Sequence, residues 1–187
     1  MKKRGIILFV LIASFFILVA SVILFLNKGN VLASRSVDRF VSKVERGHLD
    51  DVRLVIYYMD PTTLTMGPVD VNSLTSRWHE EKIVVEGYVL SQHMDVFTSL
   101  SREHLVSPDV NGTVDERLFY YFETKGGRRL LDVVIWSIGS EIAFSNVIIN
   151  GRDFTWDSIF VEIILTFLPN QNAEIFRQIL SSPLLIS

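Results

Sequence analysis

The chain has 187 residues, 18 Lys and Arg against 21 Asp and Glu, 49% hydrophobic residues and no cysteine. Without cysteine there is no disulfide framework, no thiol nucleophile, no thiolate metal site and no lipoprotein-type lipid attachment. The formal charge of −3 becomes −6 when Lys2, Lys3 and Arg4 are set apart, 15 basic against 21 acidic residues, a sign that repels phosphate at long range and excludes nucleic acid from the expected partners.

Those three basic residues precede an uninterrupted apolar run from Gly5 to Leu26. A transmembrane helix takes about 20 apolar residues, and a basic flank stays on the cytoplasmic side. The run therefore predicts a single-pass signal anchor over residues 5–26, a cytoplasmic stub over 1–4 and a domain outside the cell membrane. A cleaved signal peptide is the alternative, because Val31-Leu32-Ala33 followed by Ser34 has the small-x-small form and would release a secreted protein cut near Ala33. Length favours the anchor, since the apolar core of a signal peptide is usually only about 7 to 15 residues.

Residues 27–36, with Lys28, Gly29, Asn30, Ser34 and Ser36, read as a linker, and residues 37–187 as one α+β domain. Ser36 is the expected cap of a helix whose apolar positions Val37, Phe40, Val41 and Val44 recur at i, i+3, i+4 and i+7 and which ends near Gly47. A β-rich run from Val52 to Met59 is closed by Asp60-Pro61. Asp70 is the expected cap of a short helix carrying Val71, Leu74 and Trp78, and Lys82–Leu90 reads as a second strand. Met94, Phe97 and Leu100, with His104 beyond, suggest one helix between Ser91 and Leu105.

The clearest local signal is a hairpin. Arg117–Thr124 and Leu130–Trp136 flank a turn holding Gly126-Gly127, and a further β segment runs from Glu141 to Ile149 before the turn dipeptide Asn150-Gly151. Thr155 is the expected cap of a closing helix with Ile159, Phe160, Ile163, Ile164 and Phe167 on its apolar face, and Ala173–Leu180 adds a last helix. The fold class expected is α+β: an N-terminal transmembrane helix and a domain with a mainly antiparallel, meander-like sheet and helices packed on one face.

Chemistry is sparse in this pattern. No Gly-x-Ser-x-Gly elbow and no Ser-x-x-Lys pair occurs, so no catalytic residue is assigned. His48, His79, His93 and His104 lack ligand spacing, and the acidic stretch Asp109–Glu116 places Val114 and Tyr120 where a calcium loop needs Gly and an acidic ligand, so no metal or other cofactor is expected. The candidate ligand platform is aromatic: one of Tyr57 and Tyr58 and one of Tyr120 and Tyr121 should face away from the helices, where paired rings would hold a sugar or an extended peptide. The function expected is a non-enzymatic binding or interaction module at the cell envelope, its partners the membrane and a protein or envelope component. The alternatives are an exported hydrolase acting on envelope polymers, and a domain that caps a membrane complex through the apolar tail Leu184–Ile186.

Overall fold

The structure is a computed structural model that describes residues 2–60, 62–108, 115–137 and 144–180. One helix, α1 (Lys2–Glu45), runs unbroken from the N-terminal stub into the domain. The linker expected over residues 27–36 is thus helical. Its serines do not cap a new helix; they bond back along the existing one, Ser34 Oγ donating to the Asn30 carbonyl (2.9 Å) and Ser36 Oγ to that of Leu32 (3.1 Å). The far end of α1 stops as expected. Gly47 takes φ 68°, and its N–H and that of His48 return to the carbonyls of Val44 (2.8 Å) and Lys43 (3.0 Å), a Schellman closure.

A six-stranded antiparallel sheet follows, built from β1 (Val52–Tyr58), β2 (Glu81–Glu86), β3 (Glu116–Thr124), β4 (Arg129–Ser137), β5 (Phe144–Ile149) and β6 (Arg152–Thr155) in the spatial order β2-β1-β3-β4-β5-β6. Between β1 and β2 the chain makes one α-turn, α2 (Val71–Ser73), wound on as a π-turn over Leu74–Trp78. Asp70 caps it as expected, accepting from the Ser73 N–H at 2.7 Å. The helical elements α3 (Gly87–Leu90), α4 (Met94–Thr98), α5 (Ile159–Leu165) and α6 (Asn170–Leu180) complete the fold.

Three further expected elements differ. The second strand ends at Glu86, because Gly87 passes so close to β1 that a Cβ there would run into the carbonyl oxygens of Leu49 and Val52, and the chain turns into α3. The helix expected over 91–105 is a succession of short pieces, with 3₁₀ turns at Ser91–His93 and Arg102–His104 on either side of α4. Thr155 ends a strand instead of capping a helix: Asn150 (φ 49°) and Gly151 (φ 73°) form the two left-handed positions of a tight hairpin turn that brings in β6. The segments 109–114 and 138–143 lie outside the described residues, and with them most of the calcium-loop stretch and the start of the expected β segment at Glu141; so does the tail 181–187, with Leu184–Ile186.

The larger core lies between α1 and one face of the sheet. Ala33, Val37, Phe40 and Val44 of α1 are fully buried against Leu54, Phe122, Val133 and Ile149 of the strands and Phe97 of α4. Phe40 anchors this seam, its ring 4.2 Å from that of Phe122 and 6.0 Å from that of Phe97. The opposite face has a smaller core of Val55, Phe119, Tyr121, Val134 and Trp136, covered in part by Met59, Val69 and Leu74 from the segment between β1 and β2. Helical structure therefore reaches both faces, where the sequence pattern placed it on one.

Among the described residues no helix is long and apolar enough to cross a membrane. Of the apolar run 5–26, side chains are described at 12–19 alone; the rest of the expected span lies outside the described side chains. Within that window Phe15, Phe16, Ile17 and Leu18 are exposed.

Candidate functional site

The four tyrosines divide between the two faces, as alternation along a strand requires. Tyr58 and Tyr120 point into the helix-covered core and are closed to any ligand. The hydroxyl of Tyr120 donates to the Phe160 carbonyl at 2.7 Å, and burial holds its pKa well above the usual phenol value. Tyr57 and Tyr121 lie on the opposite face, Tyr57 beside Phe119 and Tyr121 beside Val55 in the register of β1 and β3. Their rings are already occupied. The Arg129 guanidinium stacks 3.4 Å from the Tyr121 ring centre, Lys82 Nζ sits 5.5 Å above Tyr57, and His79 meets Tyr57 edge-on at 5.2 Å. Arg53 and Glu123 close the same row with an ion pair of 2.7 Å. A sugar or peptide landing on Tyr57 and Tyr121 has to displace Arg129 and Lys82.

The histidines remain dispersed, and among the described residues no group of three His, Asp or Glu side chains is placed to hold a metal. His104 Nδ1 is 2.8 Å from Asp157 Oδ2, His79 Nδ1 is 2.9 Å from the Leu74 carbonyl oxygen, and His93 stands edge-on to Phe167. His48 joins Asp38, Arg39, Ser42, Lys43 and Arg46 around an open cleft of about 430 Å³ along the outer side of α1. Its charge is partly spent internally: Lys43 pairs with Asp51 at 2.7 Å and holds that carboxyl below its usual pKa.

The strongest electrostatic feature was not visible as a motif. At the end of the sheet where β3 begins, buried Arg117 and half-buried Asp115 form an ionic knot. Arg117 is buried, pairs with Asp115, and donates through Nη1 to the Thr63 carbonyl (2.8 Å) and through Nη2 to Thr65 Oγ1 (3.5 Å). Asp115 in turn accepts from the Val69 N–H at 3.1 Å. The knot fastens the whole segment 63–69 to the start of β3. Beside it Glu116 is only 6% exposed, and its Oε2 and the indole Nε1 of Trp136, its register partner on β4, have no hydrogen-bond partner. Burial, reinforced by the negative charges of Asp70 and Asp115, pushes the Glu116 carboxyl up to about 7. The available signal was the run of three charged residues opening an otherwise apolar strand; it reads as loop polarity unless the strand is known to start at Glu116.

Neither a protein-family model, nor a curated protein, nor a solved structure shows significant similarity to the chain.

Proposed function

We propose that the chain is a bitopic protein of the cell membrane, its N-terminus cytoplasmic and its α+β domain held outside as a non-enzymatic binding module for a protein or envelope component. One observation carries this reading: the apolar run 5–26 and the core stripe Ala33, Val37, Phe40 and Val44 belong to a single helix. An anchor joined to its domain by a flexible linker only tethers it. An anchor that is also a core element sets the domain's height and orientation. At 1.5 Å rise per residue, Ala33 stands about 10 Å beyond Leu26, so the fold begins at the membrane surface.

The same continuity supports the uncleaved form. A peptidase cutting after Ala33 has to unwind a helix whose Ala33 side chain is buried and whose Ser34 is bonded back to Asn30. Crosslinking in intact cells, followed by purification of the full-length protein and a blot for its size, tests the proposal. Recovery of one stoichiometric membrane or wall partner with the full-length chain is the expected result. A shortened protein in the medium with no partner contradicts it.

The hydrolase alternative has one feature in its favour, the pairing of His104 Nδ1 with Asp157, which fixes an imidazole in the manner of a general base. Turnover of an envelope polymer by the purified full chain, lost in His104→Gln, would replace the binding-module reading with this one.

A further inference from the structure

Strand direction places one end of the domain toward the anchor. Asn30 Nδ2 donates to Ser107 Oγ (3.3 Å), and the backbone beside Ser107 is tied to β6 by the Thr155 N–H donating to the Val106 carbonyl (2.7 Å). Asn30 is four residues past the last residue of the apolar run, about 6 Å along the helix. The end of the sheet that carries Thr155 therefore faces the membrane. In the antiparallel register that end also holds the finish of β1, the starts of β2 and β3, and the segment 59–80 that connects β1 to β2.

Exposed apolar residues gather at this end. Beyond the window 12–19, the described chain exposes eight large hydrophobic side chains, and six of them, Val31, Leu32, Leu64, Met66, Trp78 and Val106, lie on α1 just past the anchor or in the connections at this end; Val84 and Tyr88 lie elsewhere. Single exposed hydrophobics are ordinary, but such a collection on one rim is not. Leu64 and Met66 are the clearest members, 92% and 109% exposed. They stand on backbone that is held in place, since Arg117 bonds the Thr63 carbonyl and Thr65 Oγ1.

We infer that this rim is a second membrane contact, a shallow apolar footprint in which Leu64, Met66, Trp78 and Val106 enter the headgroup layer of the bilayer that α1 anchors in. The inference rests on the anchored reading above. The bilayer is the fitting occupant because Val31 and Leu32 lie on the anchor helix itself, and the loop tied to Asn30 lies within the thickness of a headgroup region. Trp at such a boundary has one face in hydrocarbon and its N–H in water. Asp60, Glu80 and Glu81 share this end, so the contact draws on apolar burial and needs no anionic lipid.

The chain has no native cysteine, so single cysteines can be placed without background. Full-length protein is reconstituted in phosphatidylcholine nanodiscs, and an environment-sensitive fluorophore is attached in turn at Phe16→Cys, Leu64→Cys, Met66→Cys, Val106→Cys and Tyr88→Cys. Quenching by lipids brominated on the acyl chain is then measured. Labels at 64, 66 and 106 are expected to be quenched about twofold or more above the label at 88, and the label at 16 most strongly. Labels at 64, 66 and 106 that behave like the one at 88, with 16 still quenched, overturn the footprint and leave the anchor standing. A label at 16 without quenching overturns both.

Discussion

A buried carboxylate with one oxygen lacking any partner, where the other buried charged side chains among the described residues, Arg117 and Glu123, are paired, makes Glu116 strongly sensitive to pH. Its ordinary pKa of 4.5 rises to about 7 in the fold, chiefly through burial. Below pH 4.5 the group is neutral in both states. Between 4.5 and about 7 the unfolded chain ionises while the native state keeps its proton, so stability falls as pH rises; above about 7 both are ionised and the loss is complete. The size of that loss is on the order of 3 kcal/mol. Glu116→Gln should remove most of the decline, leaving the part due to Asp132, whose carboxyl burial also raises, and leave the protein more stable than the parent at about pH 8, read from chemical denaturation of the detergent-solubilised full chain across pH. Gly87 makes the opposite kind of demand. With carbonyl oxygens of Leu49 and Val52 where a side chain would begin, Gly87→Ala should cost about 3 kcal/mol in the same assay, although alanine is the better helix former for α3.

Among the elements, α1 carries the most. Phe40 is fully buried between Phe97 and Phe122, and Phe40→Ala should destabilise the domain by about 3 to 5 kcal/mol in denaturant unfolding, against less than 1 kcal/mol for Arg39→Ala on the outer side. The buried face of α1 was legible in the spacing of Val37, Phe40, Val41 and Val44, and its end in Gly47, because apolar period and a left-handed glycine are local properties. Its beginning was not. Ser34 and Ser36 cap a helix or bond back within one equally well, and only the carbonyls they meet decide which. The β3–β4 hairpin and the turn at Asn150-Gly151 were legible for the same local reasons. Strand β6 was hidden, since Phe154 is its only buried residue. The break of the second strand at Gly87 depends on Leu49, a neighbour 38 positions away in the chain, which no spacing rule reaches. Of the candidate site, alternation divides each tyrosine pair between the two faces, but the face of Tyr57 and Tyr121 is not free of helical structure, since the turn carrying Val71 and Leu74 packs on it. The charged side chains lying over Tyr57 and Tyr121 come from β2 and β4, and no single segment reveals them.

For the whole molecule, the consequential feature is the direction shared by anchor, sheet and rim. On the proposed anchoring, a helix that is both span and core element, a loop tied to it at Asn30, and exposed Leu64 and Met66 at the same end would give the domain a fixed underside. On the same proposal the other end, with the turn 125–128 and Tyr88, would be the part presented to a partner. The central claim is that α1 anchors this domain outside the membrane without being cut. Single cysteines at Lys2→Cys and Lys125→Cys, probed in intact cells with a membrane-impermeant maleimide, test it most directly. The account predicts labelling of full-length protein at 125 at once and at 2 only after the cells are permeabilised. Labelling at neither site before permeabilisation, or a shortened protein labelled at 125 and recovered in the medium, would contradict it.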